Sequence, residues 1–175
     1  MSELSKSDAE LAYYHFPDGL RGDVEADAWD YALATTDGET VELLEEAHAD
    51  ADSAFGWEGI YIERRDLDRG RWDLVPLAGI EINDGADEDV YDAAKEFGWN
   101  WLDGIRNEVR DLQEATSLSP KQFVAAIVYA SRDEEATAHE MDISVGNVRG
   151  KIGDVREKAA RARKTSRVIE DLGLD

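Results

Sequence analysis

Apolar residues recur every three or four positions along most of this chain, and the one region where the period drops to two divides it. Residues 8 to 56 carry the helical period, with Ala28, Tyr31 and Ala32 inside 24 to 34 and Leu44, Ala47, Ala51 and Phe55 inside 41 to 55. Pro17-Asp18-Gly19 and Thr36-Asp37-Gly38 interrupt it, so two short helices are expected. From Gly59 to Asn83 the spacing is that of strands: Ile60 and Ile62, then Trp72 and Leu74, then Ile80 and Ile82, with turn-rich segments between. That pattern predicts a small antiparallel meander whose core Trp57 and Trp72 close. From Asp87 the helical step returns through Val90, Ala94, Phe97, Trp101, Ile105, Val109 and Leu112, the apolar stripe of one long helix ending near Ala115.

A short joint, residues 116 to 120, leads into the last third. Ser119 is suited to cap a helix, Pro120 to occupy its first position, and Gln122 to close a capping box, with Val124, Ile127 and Val128 as the inner face. Residues 133 to 141 make a second short helix, and Asp142-Ile143-Ser144 a turn after which Ser144 caps a third. Three helices in this order, the last two joined by a tight turn, are a helix-turn-helix. The expected fold class is therefore mostly α, of α+β type: an N-terminal α+β domain, 1–115, for sensing or dimerisation, with its meander and long helix, and a C-terminal helix-turn-helix domain, 118–175, with a C-terminal helix.

Charge changes this picture. The formal net charge is −22, yet residues 149 to 167 hold eight cations against two acids, a net +6, while everything before them sums to −25. The acids are dispersed over all predicted elements, and this dispersed surface resembles that of cytoplasmic proteins from extreme halophiles. A competing reading, an acidic surface that mimics nucleic acid, does not account for the basic block. Cysteine is absent, which excludes disulfides and thiolate chemistry. No run of 18 apolar residues occurs, so a soluble, cytoplasmic protein without membrane contact is expected.

The stretch LSPKQFVAAIVYASRDEEATAHEMDISVGNVRGKIGDVREKA, residues 118 to 159, resembles the helix-turn-helix shared by the promoter-reading C-terminal domain of bacterial sigma factors and by the output domains of many bacterial response regulators. Leu118, Pro120 and Gln122, then Glu135 and Ala138, Ile143-Ser144 at the turn, and Gly146, Val148, Arg149 and Ile152 carry the likeness. The resemblance implies duplex DNA as partner. Two positions depart from the pattern: Asp142 stands where a Gly usually provides the left-handed turn, and Thr137 where a larger aliphatic side chain is common. Nothing earlier in the chain resembles a promoter-melting region, so the implication is a regulator and not a sigma factor.

The residues themselves say how the third helix, 144–158, would read a groove. At 100° per position, Ile152 and Val155 fall within about 40° of Val148, and Gly146, Gly150 and Gly153 within roughly 40° of the opposite pole. An interior Gly costs a helix about 1 kcal/mol relative to Ala, so three within eight residues, all on the outward side, call for a close backbone approach. Arg149 and Arg156 flank this strip on one side, Asn147, Lys151 and Lys158 on the other. The expected DNA-binding set is Ser144, Asn147, Arg149, Lys151, Arg156, Lys158, Arg161, Arg163 and Lys164, the first four nearest base edges or adjoining phosphates and the rest on the backbone. Alternatively Gly150 and Gly153 break the helix and the cations pair with the protein's own acids.

Other chemistry is sparse. His15, His48 and His139 share no metal-ligand spacing, no phosphate loop or nucleophile elbow occurs, and the paired carboxylates are too common to mark a catalytic pair. No catalytic residue, metal or cofactor is expected. Trp99 and Trp101 with Phe97 invite a ligand or base-stacking platform, but Phe97 and Trp101 lie on the inward stripe, so core packing or a dimer seam of a homodimer on helix 87–115 is expected. A second functional class is an adaptor whose basic C-terminal helix docks on an acidic partner such as transcription machinery.

Overall fold

The computed structural model describes residues 3–49, 60–67, 71–78 and 88–174. Among the described residues seven helices and one two-stranded ribbon follow in order: α1 Lys6–His15, α2 Asp18–Thr35, α3 Gly38–Ala49, β1 Ile60–Leu67, β2 Arg71–Ala78, α4 Glu88–Glu114, α5 Pro120–Ser131, α6 Glu134–Met141 and α7 Val145–Asp171.

The expectation of an N-terminal α+β domain is overturned: the fold is helical. Every described buried apolar residue lies on a helix or in a residue flanking one, from Leu4 and Phe16 beside α1 to Val148 and Ile152 on α7. Among the described residues the expected meander has no counterpart as a sheet layer. In its place β1 and β2 pair antiparallel as a ribbon, Ile60 opposite Ala78 through Leu67 opposite Arg71. The third expected strand, at Ile80 and Ile82, and Trp57 lie outside the described residues, as does the side chain of Trp72. Period-two spacing over a few residues specifies a hairpin, which by itself is at best marginal and cannot supply a core layer. Pro76 fits such a ribbon, because each of its strands has an edge where a missing N–H goes unnoticed.

Residues 8 to 56 also differ from expectation. Both interruptions are present, but they separate three helices, because α1 is a helix of its own and α2 starts at Asp18 directly after Pro17. Ser5 caps α1, its Oγ accepting from the Asp8 amide at 3.1 Å.

The chain forms two compact units, residues 1–16 with 109–175, and residues 17–108. In the second, Ala28 and Ala32 of α2, Leu44 of α3 and Ala94, Phe97, Trp101 and Ile105 of α4 are buried. Ala94, Phe97, Trp101, Ile105 and Val109 of the stripe read from the sequence on α4 are thus core, Leu112 is half-buried, the side chain of Val90 lies outside the described residues, and Trp99 stays exposed. Trp29 meets Phe97 edge to face at 4.8 Å between centroids, and the Trp101 indole N–H donates to the Glu25 carbonyl at 3.3 Å.

In the first unit α1 packs on α5, with Asp8 holding Lys121 at 2.9 Å. The joint at 116 to 120 lies inside this unit. Gln113 Nε2 donates to the Leu118 carbonyl at 2.8 Å and Thr116 Oγ1 to the Gln113 carbonyl at 2.7 Å, which stitches the turn to the end of α4.

Helices α2 and α4 touch backbone to side-chain-free backbone at Gly104, where an added Cβ would stand 3.0 Å from the Cα and carbonyl oxygen of Ala28 and from the Tyr31 ring. Two of those neighbours are main chain and cannot step aside. Gly104→Ala is therefore expected to destabilise by about 1–3 kcal/mol, outweighing the roughly 1 kcal/mol gained in helix propensity. The midpoint of urea denaturation at unchanged slope measures it.

Candidate nucleic-acid interface

The last three helices are assembled by their caps before any long-range contact is made. Ser119 Oγ accepts from the Gln122 amide at 3.3 Å while Gln122 Oε1 accepts from the Ser119 amide at 3.1 Å, the reciprocal box anticipated from the sequence. Asp133 caps α6, its Oδ1 accepting from the Ala136 amide at 2.7 Å, and Ser144 caps α7, its Oγ accepting from the Asn147 amide at 3.2 Å.

Between α6 and α7 the chain turns in three residues. Asp142 takes the left-handed conformation, φ 53° and ψ 48°. The Ile143 amide donates to the Ala138 carbonyl at 3.0 Å and the Asp142 amide to the His139 carbonyl at 3.2 Å. These two bonds form the Schellman arrangement, which closes the orphan carbonyls of α6. Thr137 is fully buried, and its hydroxyl donates to the Asp133 carbonyl at 2.8 Å, so the departure from an aliphatic residue leaves no unpaired polar group.

Ala125, Ala138, Val148 and Ile152 form the core where the three helices meet, with Tyr129, Met141, Ile143 and Val145 packed around it. Burying Val148 and Ile152 fixes the rotation of α7. Gly146, Gly150 and Gly153 consequently face out. A Cβ added at Gly150 or Gly153 would find nothing within 4 Å, and at Gly146 only Ser144 Oγ at 3.9 Å. The helix runs without interruption for 27 residues, about 40 Å, so the alternative in which the glycines break it does not hold.

The cations divide by what holds them. Arg149 donates from Nε to Glu134 Oε2 at 2.7 Å. Arg156 stands 5.9 Å over the Tyr129 ring, and Arg161 pairs with Glu157 one turn earlier. Lys151, Arg163, Lys164 and Arg167 have no hydrogen bond or ion pair among the described residues, nor does the side chain of Asn147. Lys158 is set apart from the rest. It is half-buried, and its Nζ donates to the Ser117 carbonyl and to Gln122 Oε1, both at 2.8 Å, strapping α7 to the start of α5. Asp154 helps on the same side by accepting from Gln122 Nε2 at 3.3 Å. Glu134, Tyr129 and Gln122 as partners of these cations have no signature in the sequence, because their separations in the chain exceed any helical period.

Elsewhere, an open cleft of about 790 Å³ lies beside the 116 to 120 turn, between Glu3, Glu114 and Lys158. Its polar walls bond to one another through Gln113, Thr116 and Lys158, so it offers no converging donors. His15 stands 3.9 Å from Glu140 between α1 and α6, and His139 is exposed. The side chain of His48 lies outside the described residues. Among the described residues no three His, Asp or Glu gather as a metal site, and no helix is long and apolar enough to cross a membrane. No family model matches the chain, and neither does any curated protein or solved structure.

Asp142 bears the cost of the turn, since an L residue in the left-handed region is strained and a carboxylate at a helix C-terminus opposes the macrodipole. Asp142→Gly is expected to raise the free energy of unfolding by up to about 1 kcal/mol, read from a higher denaturation midpoint.

Proposed function

We propose that this protein is a sequence-specific transcription regulator that binds duplex DNA, laying residues 144–158 of α7 in the major groove. One observation carries the reading: an unbroken helix turns three glycines into open space beside Arg149 on one flank and Asn147 and Lys151 on the other. A ridge without side chains admits the backbone close to base edges, and flanking polar groups reach bases or phosphates from there. Ser144 at the N-cap offers its hydroxyl to a phosphate, and Asn147, Arg149 and Lys151 sit nearest the base edges or adjoining phosphates. Arg156, Arg161, Arg163 and Lys164 face the sugar-phosphate backbone, and Lys158 serves the fold. The likeness to sigma-factor and response-regulator helix-turn-helix domains supports the same assignment.

The proposed setting is a cytoplasm of high salt, in keeping with a formal net charge of −22. At ~1 M salt the Debye length is about 3 Å and counterion release drives association weakly. Close packing and direct base contacts then dominate, which is what a bare ridge provides. A homodimer through α4 would need a face other than its apolar stripe, because Phe97, Trp101 and Ile105 are buried within their own unit.

A second reading, an adaptor docking on an acidic partner such as transcription machinery, is favoured by the far end of α7. There Val168, Ile169 and Leu172 are exposed next to the unpaired Arg163, Lys164 and Arg167.

The two readings separate in duplex-binding measurements at high KCl. Gly150→Ala with Gly153→Ala should stabilise the fold by about 1 kcal/mol per site, since both positions are open helix interior, yet weaken duplex binding roughly tenfold or more. Arg149→Ala with Lys151→Ala should weaken it comparably. Unchanged affinity in both double variants removes this face from DNA binding and leaves the adaptor.

A further inference from the structure

Among the described residues, Arg149 is the cation of α7 that a carboxylate of another helix holds. Its Nε donates to Glu134 Oε2 at 2.7 Å across the turn of the motif, from the fifth residue of α7 to the first of α6. Glu134 is itself on a fixed base, because Asp133 caps that helix end through the Ala136 amide at 2.7 Å. Both side chains lie at the surface, 67% and 35% exposed. A pair so placed contributes at most about 1 kcal/mol to the fold, and its consequence is geometric.

A guanidinium has five N–H donors in a rigid plane. With Nε–H engaged by Glu134, the two Nη groups are left as a fork whose plane and direction the carboxylate sets. That fork has two parallel donors beside the glycine ridge. Among the bases, guanine alone presents two adjacent acceptors, O6 and N7, in the major groove; adenine pairs an acceptor with a donor, thymine an acceptor with a methyl group, and cytosine presents a donor.

A phosphate is the poorer match for this arginine. The carboxylate at 2.7 Å offsets its charge and would stand near any phosphate oxygen the fork approached. Arg163, Lys164 and Arg167, which no carboxylate holds, are the natural phosphate contacts. High salt sharpens this division, because it screens unanchored charges beyond about 3 Å while leaving a fixed hydrogen-bond geometry intact.

We infer that Arg149 reads a guanine through its Nη fork and that Glu134 is the positioning residue that orients it, so that the recognised site contains a G·C pair at one defined step. This inference rests on the DNA-binding reading above and names the base that reading leaves open.

The test begins with selection of bound sequences from a randomised duplex library by the full chain in about 1 M KCl. The selected duplex and its single-base-pair variants are then titrated with wild type, Arg149→Ala, Arg149→Lys, Glu134→Ala and Glu134→Gln, with a denaturation curve for each to confirm folding. Wild type should prefer G·C at one position by roughly tenfold or more. Arg149→Ala and Arg149→Lys should lose that preference there and keep the preferences elsewhere. Glu134→Ala should lower the same preference roughly tenfold while affinity for mismatched duplexes holds or rises, and Glu134→Gln, which keeps an acceptor oxygen, should recover part of it. The inference is overturned if Arg149→Ala weakens all duplexes alike with a salt slope about one unit shallower, the behaviour of a phosphate contact. Retention of the G·C preference in Glu134→Ala overturns the positioning role. Failure of wild type to enrich any sequence overturns the DNA reading itself and this assignment with it.

Discussion

The rotation of α7 about its own axis is the constraint on which the rest depends. A helix docked through two residues has no freedom left in which face it shows, and Val148 and Ile152, 0% and 6% exposed, are those two residues. They bury against Ala125 of α5 and Ala138 of α6, small side chains that let the helices approach closely. Once that face is committed, the glycine ridge opposite is exposed by geometry, and Arg149 and Lys151 fall on its flanks. Lys158 and Asp154 reinforce the same phase from the side, both reaching Gln122, whose oxygen also closes the box that starts α5. One glutamine thus couples the start of the first helix of the motif to the middle of the last.

Charge organises the surface in a second layer. The carboxylates of a chain at −22 would be expected to blanket a +6 helix, yet among the described residues its arginines pair with only two, Glu134 of α6 and Glu157 of α7 itself. Each engages a single arginine, Glu134 at Nε of Arg149 and Glu157 at an Nη of Arg161, while Lys151, Arg163, Lys164 and Arg167 remain open. Surface ion pairs add little to stability in any salt, so these pairings matter chiefly for where each guanidinium points.

What could be read in the sequence was whatever is encoded locally. The Ser119 box, the Ser144 cap, the left-handed Asp142 and the inward stripe of α4 each rest on residues within a turn or two of one another, and all are in place. The α+β assignment failed because alternation over a few residues is a local signal too, and it establishes a ribbon without establishing a layer. The separateness of α1 was hidden for a related reason: its apolar face, Ala9, Leu11, Ala12 and Tyr13, serves α5, more than a hundred positions away, and no spacing records that. Lys158 was read as a phosphate contact because the helical wheel places it beside the ridge. The wheel cannot see Ser117 and Gln122 waiting at hydrogen-bond distance.

The far third of α7 is explained by none of this packing, and its persistence has a different origin. Beyond Ala159 every described residue is exposed, so burial cannot hold the helix. An isolated segment of that length would be marginal in water, because nucleation is the costly step. Here the docked half supplies the nucleus, and propagation needs only modest local support. Arg161 to Glu157 gives an i,i+4 pair, and Thr165 bonds back to the Arg161 carbonyl at 3.1 Å. Gly173 at φ 67° then closes the end, with its own amide and that of Leu174 donating to Glu170 and Ile169 at 2.9 and 3.1 Å. A helix that extends this far past its last packed residue, and still ends in a complete cap, presents Arg163, Lys164 and Arg167 on a rigid rod instead of a flexible tail. Whatever those cations meet, they meet at fixed spacing from the glycine ridge, because one continuous helix carries both.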